Sequence, residues 1–221
     1  SQVFALQAVG GDLYLGTGTT GEVWRFRGGK ATKLATLKGA VIVTCFAAGP
    51  AGTLYAGTLP EGRIYKLDTR TGKATLHAKV DAEHVWDLDY DKRARTLYAA
   101  TGPKGKLFAI NAAGKPRVYW SSGETHVLSL ARGPGGALYA GTAPKAIVYR
   151  LLGQGRARAL HDFAGNEIRA LAGNAKALYV AVNEIKLDRS SALRVMPKAA
   201  AKGTPLPKGA RPKRALKIPR L

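Results

Sequence analysis

The chain has 221 residues, 46% of them apolar, with 35 Lys and Arg against 14 Asp and Glu, a formal charge of +21, and a single cysteine. This composition supports a buried core in one large all-β domain, or at most two small ones, and excludes disorder throughout. One thiol excludes an internal disulfide and a cysteine-based zinc site, and it leaves the compartment unassigned.

No basic-then-apolar leader follows Ser1, so the first residue reads as a boundary, with no signal peptide expected. Residues 39–60 are uncharged and long enough for a membrane span, but Gly49, Pro50 and Gly52 interrupt them, and no transmembrane segment is expected. A repeat accounts for that stretch. Leu-Tyr recurs at Leu13-Tyr14, Leu54-Tyr55, Leu97-Tyr98, Leu138-Tyr139 and Leu178-Tyr179, within LYLGT, LYAGT, LYAAT, LYAGT and LYVAV. Before each comes a short apolar run beginning at Val3, Val43, Val85, Val127 or Ile168; after the first four comes a run centred on Trp24, Tyr65, Phe108 or Tyr149. A weaker fourth run follows in ATKLATL, ATLHAKV, PRVYW and ARALHDF.

Four strands of about five residues use roughly 20 positions and leave roughly 20 for four connections, the length of ordinary hairpin loops. A period near 40 with four strands and no room for a helix predicts a β-propeller of about five four-stranded blades. The blades are expected near residues 3–38, 43–79, 85–121, 127–163 and 168–196, with the Val-led run innermost, Leu-Tyr second and the fourth run outermost. The fifth unit departs from its siblings: its third-strand candidate, 192–195, comes only after a longer hairpin. Residues 197–221 are rich in Pro, Lys and Ala and hold no acid. Within them KRALKI, 213–218, echoes a fourth strand. Either a basic insertion interrupts blade five, or the chain stops inside the linker of a longer propeller.

The unit VLSLARGPGGALYAGTAPKAIVYRL, from Val127, resembles the blades of WD-repeat-like, NHL-like and gluconolactonase-type bacterial propellers. Trp86-Asp87 falls in an innermost run and does not match the WD position. The resemblance implies a binding platform in most cases and, in a minority, a metal-dependent lactonase, lyase or hydrolase; fold alone does not choose among them.

Loops entering the innermost strands converge on one mouth of a propeller channel. That places Gln2, Glu83, His84, Glu124, His126, Asn166 and Glu167 as the candidate ligand site. Three Glu and two His around one axis could hold a divalent cation or supply a general base. The alternative is solvated loop ends that satisfy backbone groups, and the differing register of the glutamates favours it. Cys45 reads as a buried small thiol, the GTGTTG run from Gly16 as a hairpin rather than a phosphate loop, and the repeated tyrosines and Trp24 as blade-to-blade packing. No catalytic triad, zinc-protease or nucleotide-loop motif is present, and no cofactor is implied beyond that minor divalent-cation alternative.

Without the eight tail cations the body still has 27 basic against 14 acidic residues. The expectation is therefore a non-enzymatic scaffold that presents a channel mouth and basic rim to a protein or peptide. Two alternatives stand beside it. One is nonspecific binding of a polyanion or nucleic acid through the rim and through Lys198, Lys202, Lys208, Arg211, Lys213, Arg214, Lys217 and Arg220. The other is metal-assisted lactone or ester chemistry at the mouth.

Overall fold

The structure is a computed structural model that describes residues 2–184. The chain divides into two units, Ser1–Ile185 and Lys186–Leu221, and the first contains all the described residues but no part of the tail. The strand expected at 192–195, the echo at 213–218 and the eight tail cations lie outside the described residues.

Every described strand falls on a run legible in the sequence. The first sheet is β1 Val3–Val9, β2 Asp12–Thr17, β3 Glu22–Arg27 and β4 Lys30–Thr36; the second is β5 Ile42–Ala48, β6 Thr53–Leu59, β7 Arg63–Asp68 and β8 Ala74–Lys79. The third comprises β9 His84–Asp91, β10 Thr96–Gly102, β11 Lys106–Ile110 and β12 Pro116–Ser121, the fourth β13 His126–Arg132, β14 Leu138–Ala143, β15 Ala146–Gly153 and β16 Arg156–Phe163. β17 Glu167–Gly173 and β18 Leu178–Asn183 make a fifth, two-stranded among the described residues. Each sheet is an antiparallel meander in chain order, because hairpin loops join its strands. The described residues contain no helix long and apolar enough to cross a membrane.

Alternation along each strand gives a sheet two apolar faces, and successive sheets bury them against one another. Tyr14 and Val23 of the first sheet pack on Val43 and Leu54 of the second; Tyr55 and Ile64 of the second pack on Val85, Leu97 and Phe108 of the third. Ala100 and Leu107 meet Val127 and Leu138, and Val148 meets Ile168 and Val180.

Glycine sets the spacing at these joints. A Cβ on Gly16 would stand 2.7 Å from Val43 Cγ1, and one on Gly57 would stand 2.6 Å from Val85 Cγ1. One on Gly141 would stand 2.6 Å from Ile168 Cβ. Hydroxyls reinforce the same joints: Ser129 Oγ donates to Ile168 O at 3.0 Å, and Thr44 Oγ1 lies within hydrogen-bond distance of Val85 O and Gly57 O, with one proton shared between them.

Candidate functional site

The five first strands surround one channel of about 520 Å3. Each carries a β-bulge at the same repeat position. Val3 pairs with Thr17 and Ala5 with Gly16, so Phe4 is the extra residue; by the same register shift Thr44, Trp86, Leu128 and Arg169 are extra in β5, β9, β13 and β17. A bulge re-aims side chains and strengthens local twist. Here all five extra residues line the channel, giving it an aromatic, hydroxyl, aliphatic and cationic wall.

Deep in the channel Asp87 accepts from Leu88 N at 2.8 Å and, across the joint to the next blade, from Leu130 N at 2.7 Å. Burial pushes its carboxyl up to about 7, against the lowering effect of those two N–H donors. Cys45 lines the same channel, is buried, and has its thiol raised well above the usual range, first by desolvation and then by the Asp87 charge. It is an inert packing group rather than a nucleophile.

At the mouth, His84 begins β9 and His126 begins β13, and Trp86 packs against both. The His84 and His126 rings stack at 6.4 Å, and Trp86 lies 4.8 Å from His84 and 5.7 Å from His126. Trp86 Nε1–H donates to His126 Nδ1 at 3.1 Å, which places the His126 proton on Nε2. Burial, followed by the neighbouring His84, holds the His126 pKa below the ordinary imidazole value. Gly102 makes the arrangement possible: a Cβ there would fall on the His126 ring and 2.7 Å from Trp86 Nε1. His84 Nδ1 is buried and has no hydrogen-bond partner, an expense a native site rarely carries without a ligand or water to offset it.

The other expected mouth residues divide. Glu83 is exposed beside His84, its carboxylate 3.9 Å from His84 Nε2. Glu124 is drawn aside to Lys145 Nζ at 3.6 Å, and Glu167 accepts from Asn183 Nδ2 at 2.9 Å. Asn166 donates its backbone N–H to Asn183 O; Gln2 contributes its carbonyl to Gly18 N. The two histidines therefore come together with Glu83 beside His84 and with Glu124 drawn away, and among the described residues no three His, Cys, Asp or Glu side chains group as metal ligands. Trp86, absent from the sequence-derived set, joins them.

The opposite end of the channel differs in charge. Its loops join first to second strands and third to fourth, and among the described residues they contain Arg70, Lys73, Lys92, Arg93, Arg95, Lys115 and Lys176, all exposed, with no acid. Nearby carboxylates are engaged at strand ends. Asp68 accepts from the Arg70 and Thr71 N–H groups, Asp91 accepts from those of Arg93 and Ala94, and Asp12 pairs with Arg27.

No protein-family model matches the chain, and no curated protein sequence does. Solved structures do match. A chain of the nidogen/laminin complex superposes with a TM-score of 0.68 at 14% identity, covering 81% of this chain and 72% of the neighbour. The virginiamycin B lyase of Staphylococcus aureus gives 0.71 at 14% identity, covering 81% of this chain. The fold is a β-propeller. The match spans 63% of the lyase's own length, under two thirds. A computationally designed protein, Ika8, superposes at 0.59 with 21% identity, over 83% of this chain and 56% of its own. These identities carry the propeller architecture and no activity.

Proposed function

We propose that this propeller is a binding scaffold whose channel mouth receives a protein or peptide segment. The observation that carries this reading is the unpartnered His84 Nδ1 beside Trp86 and His126, at the rim of a channel walled by five bulged strands. Trp86 offers an amphipathic ring of the kind that dominates recognition hot spots. His126 Nε2–H is left to donate to a backbone or side chain, since Nδ1 is taken by Trp86. The nidogen/laminin neighbour belongs to a protein complex, which agrees with this reading without identifying a partner.

The test immobilises the full chain and its Trp86→Ala and His84→Ala variants and measures capture from an extract of the source cell. A partner held by the parent and released at least about tenfold more readily by Trp86→Ala is the expected result. Equal retention by all three, or turnover of a small ester or lactone that His126→Ala abolishes, overturns the reading.

A second reading is supported by the acid-free loops at the other end. We propose that this face attracts polyanions. With a DNA duplex as the probe, replacing Lys92, Arg93 and Arg95 by Ser lowers the slope of log K against log salt by about 2–3 if each contacts a phosphate. Truncation after Met196 measures the tail's share in the same way. An unchanged slope in both cases removes this reading.

A further inference from the structure

Equivalent repeat positions at the cationic end of the channel are not filled alike. Ala48, Tyr90 and Arg132 each stand opposite the leucine of a Leu-Tyr pair, at Leu54, Leu97 and Leu138. At the joint between the third and fourth sheets, Arg132 lies over the Tyr98 ring, 5.6 Å from its centroid, and pairs with Asp89 at 2.6 Å and Asp91 at 3.2 Å. Cation, carboxylates and ring satisfy one another there. Between the second and third sheets Tyr90 takes the place of Arg132 and packs on Tyr55, with ring centroids 5.6 Å apart. The places of Asp89 and Asp91 are held in the second sheet by Ala47, opposite Tyr55, and Gly49, which donates its N–H to Thr53 O.

This exchange leaves a hollow of about 540 Å3, within the size range of small-molecule sites. Val9, Ala48, Pro50 and Tyr90 give it an apolar lining, Lys92 and Arg95 stand in its wall, and no acidic residue lines it. Neither cation has an ion-pair partner among the described residues. Asp91, beside Lys92 in the chain, is already engaged by Arg132 and by the N–H groups of Arg93 and Ala94. Those two N–H bonds hold the turn, and Arg95 within it takes a left-handed backbone, φ 49. The loop that carries both cations is therefore set before a ligand arrives.

We infer that this hollow binds a small aryl phosphate, with the ring against Tyr90 and the phosphate between Lys92 and Arg95. Two cations without an acid match a dianion, the charge a phosphate monoester approaches near neutral pH, and a guanidinium fork suits its oxygens. Neither half of the ligand suffices. Inorganic phosphate leaves the apolar lining wet and a neutral ring leaves both cations unpaired, whereas the ester covers the one and neutralises the other. The inference shares Lys92 and Arg95 with the polyanion reading but goes beyond it, because the hollow selects on an apolar body that the phosphate backbone of a duplex does not present. Arg93, in the same loop, does not line the hollow and belongs to the polyanion reading alone.

Calorimetric titration of the full chain with phenyl phosphate, at one low ionic strength, tests the inference, with inorganic phosphate and phenol as the two halves of the probe. Phenyl phosphate saturates one site and binds at least about tenfold more tightly than either half. Lys92→Ser and Arg95→Ser each weaken it by about tenfold. Ala51→Trp, at an exposed residue of the wall, abolishes it by filling the space while leaving the charge intact. Unchanged melting temperatures verify that the variants fold. Arg93→Ser leaves phenyl phosphate binding unchanged and lowers the duplex salt slope by about 1 where the polyanion reading holds, so a duplex that fails to bind sinks that reading and leaves this one standing. Absence of saturable binding, inorganic phosphate binding as tightly as phenyl phosphate, or binding that survives both Arg95→Ser and Ala51→Trp overturns the inference.

Discussion

Asp87 shows how a single carboxyl can tie two blades together at a cost in charge. It accepts N–H groups from its own strand and from Leu130 of the next, yet its site holds the proton up to about pH 7. As pH rises from about 4 to about 7 the unfolded chain gives up this proton while the folded protein keeps it. The folded state then holds more protons, so stability from this group is full below about pH 4 and declines toward pH 7. Asp87→Asn removes the titration. The difference in unfolding free energy between parent and variant is expected to fall by a few kcal/mol over that window, measured by denaturant titration at several pH values. A difference that stays constant would place an ionised carboxylate in the channel throughout.

At the scale of the element, the joints between blades are set by small residues facing β-branched ones. Gly141→Ala is expected to destabilise by about 1–3 kcal/mol, since the new methyl meets Ile168 and Ser129 in a packed joint; thermal or denaturant unfolding reads this directly. Ala100 already carries a methyl at the equivalent position, but Asp87 stands there where Ser129 stands in the next blade, so the two joints are built differently. The strands themselves were legible because the repeat printed every run several times over, and aligning the runs raised His84 and His126 as candidates. The bulges were not legible. They depend on which residue of the second strand faces two residues of the first, a pairing that hydrophobic pattern leaves open. Nothing in the pattern around Trp86 therefore marks it for the mouth, although its bulge brings it against both histidines. The diversion of Glu124 to Lys145 was hidden for a similar reason: the two residues lie 21 positions apart, across a strand pair.

Over the whole molecule, charge is partitioned rather than spread. The composition alone suggests a basic rim, whereas the described loops at one end of the channel carry only cations among their charged residues, and those at the other hold Glu61, Asp81, Glu83 and Glu124 with Lys104 and Lys145. Such a distribution would draw a polyanion toward the cationic end, and the partner proposed for the histidine-tryptophan mouth would meet mixed charge there. The measurement that separates these ends most directly is site-specific photo-crosslinking in an extract of the source cell. One photoreactive side chain replaces Glu83, exposed at the mouth beside His84, and in a second protein it replaces Arg93 in the cationic loops. Binding through the mouth predicts a discrete protein adduct from position 83 and none from position 93. Adducts formed only from position 93, above all to nucleic acid, would contradict it.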